Sequence, residues 1–265
     1  MRDFSVQIYV RLLEELRQAG SQFQTYREYL KEPREKVMIL RHDVDKMPLN
    51  SWEFAKLEQE RRIQATYNFR IVPESFKPTI IKQIYALGHE IGYHYEDLDL
   101  CNGDVTKAWL SFQKNLAKLR ELVPVQTICM HGSPLSKWDN RDLWEKHDYR
   151  ELGIIGEPYF DLDYSKVFYL TDTGRKWNSA DTSIRDKVDS SFRIEIENTQ
   201  HLIQLIREGK LPDQMMINTH PQRWNDNLLL WGRELVWQSA KNQIKKVVSR
   251  RLSQKKAQIN ADYLG

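Results

Sequence analysis

The run VMILRHDVD, residues 37–45, changes character half-way along. Val37 to Leu40 are four consecutive apolar residues and read as a strand buried on both faces. Arg41, His42, Asp43, Val44 and Asp45 follow at once. On an extended chain alternate side chains share a face, so Arg41, Asp43 and Asp45 project together. Two carboxylates at the end of a buried strand are costly unless a metal ion or a cationic side chain compensates them. An Asp-rich turn closing the strand is the plain reading. A metal site with a general base beside it is the sharper one, and later segments favour it.

Outward from that strand the pattern alternates. Upstream, Val6, Ile8, Tyr9, Leu12, Leu13 and Leu16 recur at helical spacing over 5–19 until Gly20, and a short helix is expected around 24–31. Downstream, helices are expected over 51–62, from Pro78 to Gly88, over 104–122, near 140–147 and over 199–208. Strands are expected over 65–71, 90–96, 125–130, 167–170 and 215–218. Such alternation implies right-handed βαβ units around a parallel sheet. No internal repeat or low-complexity linker divides the chain. The expected organisation is an N-terminal helical extension over 1–36, a barrel over 37–224 and a basic helical tail over 225–265.

A chain of 265 residues can bury a sizeable core. Its net charge of +3 is near balance, which gives no case for nucleic acid. Two cysteines, Cys101 and Cys129, without a CxxC pair argue against a disulfide framework and fit a reducing cytosol. The N-terminal MRDFSVQIYVRLLEEL is charged throughout and does not read as a signal peptide; no apolar run is long enough to span a bilayer. The expectation is a cytoplasmic protein. The surplus of Trp and Tyr is the usual content of a core, and it also suits a cleft that stacks on sugar rings.

Polar residues cluster where the expected strands end. Asp43 and Asp45 follow the first, His94 and Glu96 close 90–96, and His131-Gly-Ser-Pro134 follows 125–130. Thr171 to Trp177 follow 167–170, and Thr219-His-Pro-Gln-Arg-Trp224 follows 215–218. In α/β barrels the loops at that edge converge on the site.

The order RHDVD, GHEIGYH, HGSP, TDTGRKW and NTHP resembles the polysaccharide deacetylases of the NodB-homology type, carbohydrate esterase family 4 and its relatives, over roughly residues 37–224. The resemblance implies a distorted (β/α) barrel of about seven strands, a divalent metal, and hydrolysis of N-acetyl groups on amino sugars. Residue by residue it implies Asp43 as catalytic base, Asp45 as the metal-binding Asp and His94 as the first His of the metal-binding pair. His220 matches the general acid, and Asp172 with Arg175 resembles the motif that supports the base. Two positions depart from the pattern. Leu98 stands where the second metal-binding His would fall, and His131 stands about where the family has an Arg that positions the base. His131 is the first candidate for the missing ligand and Glu96, on the strand face of His94, the second. Arg175 or Arg41 is the candidate for the missing Arg.

The chemistry follows from the residue types. An amide carbonyl is a poor electrophile, so a Lewis acid that polarises it and acidifies water helps twice. Few protein ligands leave positions for water and substrate. Amine leaving groups need a proton, which a His can donate. Nitrogen and oxygen donors do not discriminate sharply among zinc, cobalt, nickel and iron, so zinc is the default. Plainer readings stand beside these: His94 alone reads as a core histidine, His220 as a strand-end His bonded to a carbonyl, and Asp172 with Arg175 as a surface ion pair. His89, on the face opposite His94, reads as structural. Trp177 and Trp224 either line the acetyl or sugar pocket or pack in the core.

The tail, 237–256, places Trp237, Ala240, Ile244, Val247, Val248 and Leu252 on one helical face among seven Lys and Arg. It reads as a helix covering the barrel or as an interfacial helix making peripheral contact with anionic lipid, which suits a lipid-linked saccharide. The expected activity is that of a metal-dependent hydrolase removing an N-acetyl group from an amino sugar or glycan precursor. Two rivals remain: a related C–N hydrolase of a small ureide or cyclic amide, and a saccharide-binding protein with a decayed site, which Leu98 favours.

Overall fold

Val37 to Val44 form one strand, buried along its whole length. The computed structural model describes residues 1–133, 136–177 and 188–243. Among these residues seven strands make one sheet: β1 (Gln22–Gln24), β2 (Val37–Val44), β3 (Thr66–Phe69), β4 (Glu90–Tyr95), β5 (Ile128–Met130), β6 (Phe168–Thr171) and β7 (Gln214–Thr219). The helices are α1 (Val6–Gln18), α2 (Tyr26–Lys31), α3 (Pro48–Glu60), α4 (Pro78–Ala86), α5 (Asp97–Leu100), α6 (Val105–Arg120), α7 (Pro158–Asp161), α8 (Thr199–Arg207) and α9 (228–243). Local chemistry places several of their ends. Ser5 accepts from the Ile8 amide at the start of α1, Asn198 from His201 at α8, and Thr25 with Glu28 forms a reciprocal cap on α2.

Every strand pairing is parallel, in the order β5-β4-β3-β2-β7-β6. The short β1 lies along β2 at Val37 to Ile39, ahead of β3, which takes over from Arg41. The result is an open, distorted (β/α) barrel whose end strands β5 and β6 do not pair with each other. One further parallel bridge, Thr127 to Gly156, extends the β5 edge.

Alternation along β2 decides what faces where. Met38, Leu40 and Val44 join the large core beneath the helices, whereas Val37 and Ile39 join a small inner cluster with Tyr169 and Met216. Arg41 and Asp43 continue that inner row, so the apolar floor of the barrel carries charges one turn of the pleat higher. His42 points the other way. Its Nε2 lies 2.8 Å from Glu58 on α3, and its Nδ1 lies 2.7 Å from the Thr219 hydroxyl. Glu58 is fully buried and also accepts from the Tyr9 and Tyr67 hydroxyls. His89 is buried between the Ala65 amide and the Ala55 carbonyl, on the side away from His94.

Some elements differ from the sequence reading. β1 was not anticipated: three residues patterned Gln-Phe-Gln carry no strand signal of their own and form because the edge of β2 is available. The strand expected over 125–130 contracts to Ile128–Met130, and the helix near 140–147 is a 3-10 turn, Asn140–Glu145. Of the expected tail helix, α9 is described to residue 243; Ile244 and everything after it lie outside the described residues. No helix among the described residues is long and apolar enough to cross a membrane.

Candidate metal centre

Because all seven strands run the same way, their C-terminal ends meet at one rim. Asp45 follows β2, His94 lies near the end of β4 and His131 follows β5. The ligand-capable atoms of these three residues all lie within 4.8 Å of one another. Asp45 Oδ1 is 3.2 Å from His131 Nδ1 and 3.6 Å from His94 Nε2, and His131 Nδ1 is 3.1 Å from His94 Nε2. Asp45 Oδ1 is buried yet makes no well-directed hydrogen bond. His94 Nδ1 donates to the Cys129 carbonyl at 2.9 Å, which leaves a lone pair on Nε2 facing the other two donors. One anionic oxygen and two imidazole nitrogens converging in this way suit a divalent cation. Glu96 is engaged elsewhere: Arg70 clamps it through two bonds of 2.7 Å. Leu98 is core, buried on α5.

Asp43 sits beside this group. Its Oδ1 accepts from Arg41 Nε at 3.2 Å and Asn68 at 3.0 Å, and its Oδ2 from Arg41 Nη2 at 2.7 Å and Asn218 at 2.9 Å. Burial works to raise its pKa, but the Arg41 charge, with His94 and His220, overrides it and holds the carboxyl far below the usual carboxylate range. The cation expected beside the base is therefore Arg41. Arg175 is not among its partners: its guanidinium donates to the Trp231 carbonyl and lies over the rings of Phe4 and Trp231. A second group, Asp43, His94 and Cys129, has similar spacing, but Arg41 and two amides already occupy both Asp43 oxygens.

His220 faces the group from across the rim, with Nε2 3.9 Å from Asp45 Oδ2. Its Nδ1 is 2.6 Å from Asp172 Oδ1, and its amide donates to Asp172 Oδ2 at 3.0 Å. Arg223 and Trp224 donate to the same carboxylate at 2.8 and 2.7 Å. Burial would raise Asp172, but His220 and Arg223 outweigh it and lower its pKa. Asp172 thus holds His220, not the base; the support expected for Asp43 goes to the opposite side of the site.

Trp224 and Trp177 are not pocket walls. Both are buried, packed with Phe4 in an aromatic cluster under the rim, and Trp177 donates to the Thr199 hydroxyl. Sequence reasoning missed Asn68 and Asn218, because single Asn residues inside expected strands carry no signal. It also missed Gln222, whose amide donates to Asp45 Oδ2 at 3.1 Å.

No family model and no curated protein matches the chain. Among solved structures it is similar to the Xyl-CE4 domain of a multidomain xylanase from the hindgut metagenome of Trinervitermes trinervoides, at 15% identity over 79% of this chain and 85% of that one, TM-score 0.40. It is similar to Bacillus subtilis PdaA, a family 4 carbohydrate esterase, at 13% identity over 87% and 84%, TM-score 0.43. A family 4 carbohydrate esterase from Bacillus anthracis matches at 11% identity over 90% and 85%, TM-score 0.38.

Proposed function

We propose that the chain is a metal-dependent deacetylase that hydrolyses an N-acetyl group on an amino sugar or glycan precursor in the cytoplasm. The observation that carries this reading is the convergence of Asp45, His94 and His131 between an ionised Asp43 and an Asp172-held His220. The motif order resembling polysaccharide deacetylases gives the substrate class. His131 also answers the departure at Leu98 that favoured a decayed binding protein.

In this reading Asp45, His94 and His131 hold one divalent ion, zinc by default. The ion supplies Lewis acidity to the amide carbonyl and acidifies water. Asp43, whose carboxyl Arg41 holds far below the usual carboxylate range, takes the proton of the attacking water, and Arg41 with Asn68 and Asn218 keeps its carboxylate in place. His220 gives a proton from Nε2 to the leaving amine, while Asp172 against Nδ1 fixes the ring. Products are acetate and the free amine.

Metal content and acetate release from a panel of N-acetylated sugars test this. Asp45→Asn and His131→Ala should each lose stoichiometric metal and activity, whereas Glu96→Ala should keep the metal. Full metal occupancy in both of the first two variants would sink the assignment.

A further inference from the structure

Among the described residues, helix α9 is held down on one side only. Trp231 Nε1 donates to the Asp3 carbonyl at 2.8 Å, Glu234 pairs with Lys46 at 3.4 Å, Gln238 is buried, and Asn242 donates to the Gly174 carbonyl at 2.9 Å. Those positions recur every three or four residues and make one stripe. Leu228, Leu229, Leu235 and Val236, spaced i, i+1, i+7 and i+8, make another. This second stripe is open: Leu229 is 84%, Val236 71% and Leu228 69% exposed. Trp237, beside it, is about half exposed. Large apolar side chains gathered this way mark an interaction surface.

Charge says what covers it. From Lys241 to Lys256 the sequence carries seven Lys and Arg and no acidic residue. A second copy carries the same basic sequence, so the charge of the partner would be of like sign. An anionic bilayer attracts the cations and takes up the Leu, Val and Trp side chains at the acyl boundary.

We propose that α9 docks the protein on an anionic phospholipid surface through Leu228, Leu229, Leu235, Val236 and Trp237. The helix sits on the rim that carries the metal centre, since Lys46 directly follows Asp45 and Gly174 lies just beyond β6. Docking therefore turns the mouth of the barrel toward the bilayer. Combined with the activity proposed above, that orientation suits a saccharide carried on a membrane lipid; the docking itself does not depend on that activity.

Vesicle co-sedimentation of the full chain tests it. The protein should sediment with vesicles of phosphatidylcholine mixed with phosphatidylglycerol, far less with phosphatidylcholine alone, and less as salt is raised. Leu229→Glu with Val236→Glu should weaken binding at least about tenfold, since two of the most exposed apolar side chains of the stripe are lost. Both positions are exposed, so the melting temperature should not change. Asp45→Asn should bind vesicles like the parent protein, which separates failure of docking from failure of the hydrolase reading. Equal sedimentation of parent and double variant overturns the proposal. So does a dimer in solution that the double variant dissociates.

Discussion

Asp43 is the residue whose role is most sharply posed. A carboxylate that accepts four hydrogen bonds, two of them from a buried guanidinium, is stable as an anion and a weak proton acceptor. The Arg41 pairing that makes it always available also limits its basicity. Asp43→Asn should keep bound metal and lose about a hundredfold or more in turnover; a variant that stays active would reduce Asp43 to a group that positions His94. Asp172→Asn should lower turnover by a similar factor through His220 while leaving metal content and KM nearly unchanged. At this scale the strand-end rule made Asp45, His94, His131 and His220 legible, because each falls in a polar cluster that closes an apolar run. Asn68, Asn218 and Gln222 were not legible, since their partners come from other strands and from Asp45. Trp177 and Trp224 misled because a tryptophan near a motif looks the same in sequence whether it faces substrate or core.

At the scale of elements, β4 and its Gly92 show how neighbouring strands support one carboxylate. A Cβ at Gly92 would lie 2.1 Å from Asn68 Oδ1 and 3.3 Å from the Thr127 carbonyl. Asn68 would have to leave Asp43 to make room. Gly92→Ala should therefore lower turnover without removing metal and cost about 1–3 kcal/mol in stability, read by denaturant unfolding. The link from β5 to α7 makes a separate prediction. Glu157 is buried, and burial pushes its carboxyl up to about 7 despite bonds from the Met130 and Tyr159 amides. A carboxyl raised on folding contributes stability that is whole below its unfolded pKa of about 4.3 and is lost as pH rises to about 7. Stability should fall across that window by at most about 3–4 kcal/mol, and Glu157→Gln should flatten that part of the curve. Thermal melts between pH 4 and 8 decide it. The long periodic elements were legible in the sequence; β1 was not, because its pairing is set by what β2 leaves open.

For the molecule as a whole, residues 1–36 are joined to the barrel at three levels. β1 lies in the sheet, Tyr9 donates to the buried Glu58, and Asp3 receives Trp231 from α9 and Thr199 from α8. Ile8, Leu12, Leu13 and Leu16 belong to the main core. Deleting residues 1–24 should leave a protein without a cooperative melting transition, checked by circular dichroism, and a sharp melt in that variant would show that the barrel stands alone.

The pairing of β2 with β7 has a consequence in time. His42 and Thr219, neighbours across these strands, are 177 positions apart in the chain. During synthesis β2 is made before β7, takes β1 and β3 on one edge, and waits with its other edge bare until the chain reaches β7. Contacts of such long sequence separation form slowly, and an unpaired central edge invites association with other nascent chains. Expression should therefore respond to chaperone supply and to slower translation more than the native stability alone would indicate. Arg41 and Asp43, being on the same strand, can pair before that wait begins; the Asn218 bond and the His220 side of the site cannot.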